Sequence, residues 1–318
     1  MNKTLKLTTG LLVGSLALAI NNTTFAQDDE DNQMEIIAIT HIVAADPFGN
    51  VLKRGFENAG EAMDVDVRYR SPAQYDTAKM QQMIEQAVAS KPDGIALTIP
   101  DPSAFEEPIQ DAIDSGIPVV ALNSGGEVSG ELGTEAYVGQ SEYESGYQAG
   151  ERMREAGVEN PVCVNFAPGQ IQLDQRCSGF DDAFDGESEQ LSTTQDPIEI
   201  RNAVFAYLNS NSDTDGVLSL GSLSTVPLLK AFREEGALDQ ITFATFDLAP
   251  ETLEAVRDGE MLFAIDQQQY LQGFLPIVML SLYDRYGLMP TTDIQTGPNF
   301  VTEKNAERVI ELTEKGYR

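Results

Sequence analysis

A chain of 318 residues has room for two domains of ordinary size, and 42% apolar content is enough to bury a core in each. Fifty-one acidic residues against twenty basic ones give a net charge of −31, a surface that repels nucleic acid and anionic lipid and argues against both as partners. Dense like charge of this kind reads as adaptation of the whole surface to high salt, where screening tolerates it, rather than as one acidic site.

Lys3 and Lys6 precede the apolar run LLVGSLALAI, and the small residue Ala26 precedes Gln27. This is the pattern of a secretory signal over residues 1–26, with an apolar core too short to span a bilayer. No Cys adjoins the cleavage point, so no lipid anchor is expected there. Without the two lysines the mature chain carries 51 acidic and 18 basic residues, a net charge of −33. A soluble protein of the periplasm is expected. QDDEDNQ (27–33) reads as a frayed, charged tail.

Strands and helices then alternate. MEIIAIT is a strand, and Phe48, Val51, Leu52, Phe56, Ala59 and Met63 recur at helical spacing. VDVRYR is a strand, followed by a helix with Met80, Met83, Ile84, Ala87 and Val88 on one face. GIALTI is a continuous apolar run, as expected of a parallel strand buried on both faces. PSAFEEPIQDAIDSG is a helix ending at Gly116, and IPVVALN is a strand. Further strands are expected at AYVG, PVCVNF, GVLSL, ITFATF and MLFAI. Further helices are expected over 142–156, capped by Ser141, and over 177–185, 197–209, 225–235, 250–258 and 270–286. Strict alternation implies parallel sheets covered by helices on both faces, and about ten strands suit two sheets better than one. Each half later offers a strand ending in a polar residue, Asn123 in the first and Asp247 in the second.

Catalytic chemistry is hard to find. His41 is the single histidine, so no His-rich metal site and no nucleophile–base pair suggests itself, and no phosphate-cradling glycine motif occurs. A cofactor, a metal and an enzymatic activity are not expected. His41 stands at a strand end and could reach a cleft there; a hydrogen-bonded structural role is the preferred reading. Cys163 and Cys177 could pair in an oxidising compartment or remain two buried thiols, and the sequence leaves both open.

Asp46, Asn123, Asp247 and Gln267 all follow apolar strand segments, where a side chain projects into the crevice outside the carboxyl ends of the strands. Asp, Asn, Gln and Arg can match the donors and acceptors of a sugar hydroxyl. Phe48 could lie against a sugar ring or pack with Val51 and Leu52, and Asp46 also suits a helix N-cap ahead of Pro47. Arg176, placed at a helix start, is unfavourable to the helix dipole there. A guanidinium fork aimed at vicinal hydroxyls accounts for it, with a surface ion pair as the alternative.

DPFGNVLKRGFENAGEAMDVDV, KPDGIALTIPDPSAFEEPIQDAIDSGIPVVALNSG, YVGQSEYESGYQAGERM, LDQRCSGF, FATFDLAPETLEAVRDG and FAIDQQQYLQG follow one another in this order. In them the chain resembles the periplasmic sugar-binding proteins of ABC importers, the ribose-binding-protein-like group of type I periplasmic binding proteins. The resemblance covers nearly the whole mature chain and implies an α/β fold of two Rossmann-like lobes with parallel sheets joined by three crossings. The first lobe would hold 27–140 plus 268–294, and the second 141–267 plus 295–318.

The family's ligand residues carry over to Asp46 and Phe48, to Asn123 and Ser124, and to Arg176, Asp247 and Gln267, with Asp196 where relatives often have an aromatic. Gly49 stands where many relatives have a second aromatic, Ser124 where ribose binders carry an Arg, and Gly221-Ser222 in place of a polar pair. Phe166 or Tyr270 would supply the missing wall. The implied function is a non-catalytic, monomeric receptor that captures a monosaccharide or polyol and delivers it to a membrane permease. The alternative on the same fold is a signalling receptor for a sugar-like autoinducer or chemoattractant.

Overall fold

The computed structural model describes residues 33–318 apart from 44 and 45; the expected signal sequence and most of the acidic tail lie outside the described residues. The chain begins with β1 (Glu35–Ile39), α1 (Pro47–Met63), β2 (Asp66–Arg70), α2 (Thr77–Ser90) and β3 (Gly94–Leu97). It continues through α3 (Pro102–Asp114), β4 (Val119–Leu122), the short α4 (Gly126–Ser129) and β5 (Ala136–Gly139). A second run comprises α5 (Glu142–Glu155), β6 (Pro161–Asn165), α6 (Ile171–Ala183), β7 (Glu189–Ser192) and α7 (Pro197–Ser210). It is completed by β8 (Gly216–Ser219), α8 (Ser222–Glu235), β9 (Thr242–Phe246), α9 (Pro250–Arg257) and β10 (Ala264–Asp266). The chain then returns through α10 (Gln269–Tyr286) and β11 (Ile294–Gln295) before β12 (Asn299–Val301) and α11 (Ala306–Glu314).

Two six-stranded sheets result, in the orders β11-β5-β4-β3-β1-β2 and β12-β10-β9-β8-β6-β7. Every strand pair is parallel except β10 with β12. The chain passes between the sheets three times: after β5, after β10, and between β11 and β12. The fold class is that of the type I periplasmic binding proteins.

The inner strands are apolar because helices cover both faces. Along β1 the pleat sends Ile36 and Ala38 to a core with Leu52 and Phe56 of α1 and Ile277 and Leu280 of α10. Ile37 and Ile39 point to the opposite core, with Met80 and Ile84 of α2 and Phe105 and Ile109 of α3. A third core fills the second lobe around Val162, Val164, Val217, Phe243 and Phe246. Among the described residues no helix is long and apolar enough to cross a membrane.

The structure adds to the expected elements at the margins. β7 was not legible because it is a polar edge strand, EQLS, with little of it buried. β11 and β12 are two and three residues long, too short to carry a period. The helix expected over 177–185 starts six residues earlier, at Ile171. Its buried face includes Gln172 and Arg176, which break the apolar stripe. Arg176 therefore lies inside the helix, and the dipole argument for its placement does not apply.

Two devices fix α6. Cys163 of β6 and Cys177 of α6 form a disulfide, with their Cα atoms 5.7 Å apart. Gly146 and Gly179 let α5 and α6 meet backbone to backbone. A Cβ on Gly146 would lie 2.0 Å from the Arg176 carbonyl, and one on Gly179 1.9 Å from the Tyr143 carbonyl.

Candidate functional site

The carboxyl ends of β1 and β4 in one lobe face those of β6, β8, β9 and β10 in the other across a cavity. The lobes touch at its rim: the Ile171 backbone N–H donates to the Pro100 carbonyl at 3.0 Å, and Gln172 Nε2 donates to His41 Nε2 at 3.1 Å.

The first lobe contributes Asp46, Phe48 and Asn123. Asp46 caps α1 with Pro47 at the first helical position. Its Oδ1 accepts from the Phe48 N–H at 3.0 Å. Phe48 belongs at once to the cavity wall and to the core under α1. Asn123 adopts a left-handed backbone, φ 62°, as Asn tolerates, and donates to Gln272 Oε1 at 3.0 Å. A longer contact of 3.5 Å reaches Gln267 Oε1, and Gln267 Nε2 in turn donates to Asp247 Oδ1. Asn123, Gln267 and Asp247 thus form a hydrogen-bonded chain from one lobe, through a crossing, to the other.

Arg176 is the cation of the second lobe. Its side chain is 3% exposed, with Nε 2.7 Å from Glu142 Oε2, Nη2 3.2 Å from Glu142 Oε1 and Nη1 2.8 Å from the Leu220 carbonyl. The guanidinium carbon lies 4.4 Å from the centre of the Phe246 ring. Three of its five N–H groups are therefore engaged with protein acceptors, and the side chain lines the cavity. Burial works against its charge, and Glu142 first, with Asp247 and Tyr137 after it, more than restores it.

Burial pushes the Asp247 carboxyl up to about 7. Arg176 resists the rise and Asp46 adds to it. Asp46 is pushed up to about 6 by burial, against the Phe48 N–H. His41 is pulled down to about 3, by burial and then by Arg176, so it is neutral. Its Nδ1 lies 2.9 Å from Thr98 Oγ1, and accepting from Gln172 at Nε2 requires the Nδ1–H tautomer. His41 is thus a hydrogen-bonded structural residue that also lines the cavity.

The profile of the periplasmic binding protein domain matches residues 37–283. The chain belongs to the periplasmic binding protein family. It is 34% identical to a carbohydrate transporter from Acidothermus cellulolyticus solved in complex with myo-inositol. The match covers 90% of this chain and 100% of that one, with a TM-score of 0.85. A periplasmic sugar-binding protein of an ABC sugar transporter from Legionella pneumophila is 28% identical over 83% of this chain and 100% of that one, with a TM-score of 0.79. The xylose/arabinose-binding protein of Sulfolobus acidocaldarius is 29% identical over 89% of this chain and 74% of that protein. The latter two are binding proteins by description, and family membership implies a periplasmic or extracellular location.

Within this periplasmic binding protein, six of the eight residues singled out in the sequence line the one cavity: Asp46, Phe48, Asn123, Arg176, Asp247 and Gln267. The other two do not. Ser124 is fully buried one residue behind Asn123, its Oγ without a partner. Asp196 is exposed, and its carboxylate is used as the N-cap of α7, accepting from the Ile198 and Glu199 N–H groups. Its neighbour Gln195 faces the cavity instead. Phe166 supplies wall, whereas Tyr270 packs against Phe274 and Tyr317 on another surface. Gly221 makes room for that wall, since a Cβ there would sit 3.0 Å from the Phe166 ring and 3.1 Å from Asp247 Oδ2.

Glu142 and Gln172 escaped the sequence reading. Glu142 looks like any acid in the first turn of a helix, and its partner is 34 residues away. Gln172 lies in the stretch where the helix itself was not recognised. A polar residue on the buried face of a helix packed on the sheet is the signal that would have found it.

Proposed function

We propose that this protein captures one monosaccharide or cyclic polyol in the cavity between its lobes and delivers the closed complex to the permease of an ABC importer. One observation carries the reading: polar side chains from facing strand ends of both sheets converge on a single cavity. Hydroxyl groups find acceptors in Asp46 and Asp247 and donors in the free N–H groups of Arg176, with Phe48 and Phe166 as apolar walls. The carbohydrate ligands named for the relatives belong to the same class of molecule.

The two expected lobes act as rigid bodies that swing about the crossings. A ligand touching both favours the closed population. The role is non-catalytic, exercised in the periplasm by a monomer.

A thermal-shift screen of monosaccharides, pentoses and inositols tests this. A ligand at one hundred times its Kd adds about 2.7 kcal/mol of apparent stability. Asn123→Ala should melt cooperatively and lose most of that gain. No shift with any carbohydrate sinks the reading.

A further inference from the structure

α11 belongs to the second lobe, with Ala306 and Val309 in its core and α9 packed beside it. The helix ends in a left-handed glycine turn. Gly316, at φ 77°, donates its N–H to the Thr313 carbonyl at 2.8 Å, and the Tyr317 N–H donates to the Leu312 carbonyl at 3.1 Å. That turn sends the chain off the second lobe and onto the first. Arg54 of α1 donates to the Lys315 carbonyl at 3.3 Å and lies against Gly316, where a Cβ would sit 2.6 Å from the guanidinium carbon. Tyr317 meets the ring of Tyr270 of α10 edge-on, with centroids 5.1 Å apart and planes at 70°. Tyr270 is itself fixed, stacked on Phe274 and accepting at its hydroxyl from Asn58 Nδ2 at 3.0 Å.

Arg318 then turns back to the hinge. Its Nη1 pairs with Oδ2 of Asp266, whose side chain is 3% exposed. Asp266 ends β10, and its Oδ1 accepts from the Gln268 N–H at 2.8 Å. Gln267, which lines the cavity, stands between Asp266 and Gln268 in the chain. Residues 315–318 are thus fastened to α11 at one end and to the second crossing at the other, with the first lobe gripped between.

The contacts with Arg54 and Tyr270 join groups that ride on different lobes, so a rotation about the crossings changes their separation. A hydrogen bond and an edge-to-face aromatic pair each hold only over a narrow range of geometry. Both are made while the lobes meet at the cavity rim, through Ile171 with Pro100 and Gln172 with His41. They are therefore differential contacts that favour the closed form.

We propose that residues 315–318 form a strap across the hinge that biases the lobes towards closure. Neither Tyr317 nor Arg318 lines the cavity. The strap raises affinity by enlarging the closed population, not by touching the ligand. This inference rests on the swing of the lobes described above and not on which molecule they capture.

The test is the distance across the cleft mouth of the purified mature protein, read by pulsed electron spin resonance between nitroxides at Ala78→Cys and Ile198→Cys. Both positions are exposed, on helices that start beside an opening lined by Thr77 of one lobe and Gln195 of the other. The chain's two native cysteines are bonded to each other, so only the introduced thiols take label. Tyr317→Ala and Arg318→Ala should each cut the ratio of short to long distances about two- to tenfold without ligand, the value of one aromatic pair. Tyr317→Phe, which keeps the ring, and Arg318→Lys, which keeps the charge on Asp266, should restore it.

The measurement is repeated with xylose, arabinose and myo-inositol. Populations that follow a carbohydrate but neither alanine variant overturn the strap and leave capture standing. Populations that follow the variants but no carbohydrate keep the strap and sink capture. A lower melting temperature with unchanged populations makes 315–318 a structural clasp and overturns the proposal. A single distance common to wild type and both alanine variants also overturns it.

Discussion

The helices that border the cavity from opposite lobes, α1 and α6, reach it in different ways. α1 presents its tip: Asp46 and Phe48 stand at its start, and Leu52, Phe56 and Ala59 continue an undisturbed apolar stripe into the core. α6 presents its flank. Gln172 and Arg176 occupy the buried face where apolar residues would stand, and its N-cap residue, Gln170, makes no capping bond. A site at a helix tip leaves the folding pattern intact, whereas a site on the flank overwrites it and the helix must be held by other means. Here those means are the Cys163–Cys177 disulfide, the glycine contact with α5 and the Glu142–Arg176 pair.

The largest test of that contrast removes the ion pair's acid. Glu142→Ala leaves a guanidinium that is 3% exposed with its charge unmatched, and should destabilise by about 3–5 kcal/mol in urea unfolding. Glu142→Gln should cost less, because one hydrogen bond to Arg176 survives. Equal losses in the two variants would mean that the pair acts through packing and not charge. Next in size is the disulfide. Replacing both Cys163 and Cys177 by Ala should cost about 3 kcal/mol for a loop of about 15 residues, read as a fall in the urea midpoint. The same double variant should weaken ligand binding if the disulfide also fixes Arg176, and leave it unchanged if it only restrains the unfolded chain.

The contrast also explains what the sequence disclosed. Apolar runs such as GIAL and VVAL announce parallel strands because nothing functional interrupts them. Asp46, Asn123, Asp247 and Gln267 were legible because the rule locating ligands at strand ends is topological and needs no partner residue. Asp196, placed among the ligand residues by the resemblance, lies outside the cavity lining. The local chemistry, Asp before Pro197 at a helix start, already described the cap it forms. Glu142 and Gln172 were hidden because their meaning lies in contacts across 34 and 131 residues, to Arg176 and His41.

At the tip of α1 the expected effect is smaller. Asp46→Ala removes one capping bond and should cost about 1 kcal/mol. It also removes a carboxylate disfavoured by burial, so the loss should shrink as pH rises towards neutrality. Asp46→Ser, which can still cap, should recover most of the stability but not the ligand affinity. Recovery of both would reduce Asp46 to a structural residue.

The effect of pH on global stability is a partial cancellation, because the cavity carries opposed titrations. Asp46 and Asp247 rise on folding from 3.8 to about 6 and about 7, so the ligand-free folded protein holds protons that the unfolded chain releases. Their contribution is whole below about pH 4 and drains away as pH climbs through 6 and 7. His41 falls from 6.5 to about 3, so its contribution is whole above pH 6.5 and is lost as pH drops towards 3. Between those limits two carboxylates lose more than the one imidazole gains, so the ligand-free protein should lose stability as pH rises from about 4 to 7, by less than the carboxylates alone would cost. Asp247→Asn separates the two, since the variant should gain on the wild type steadily as pH rises from about 4 to 7. A difference constant across that range would mean that the ligand-free lobes part and hydrate Asp247. The cost of its burial would then fall on closure instead of on folding, to be met by whatever the cleft binds.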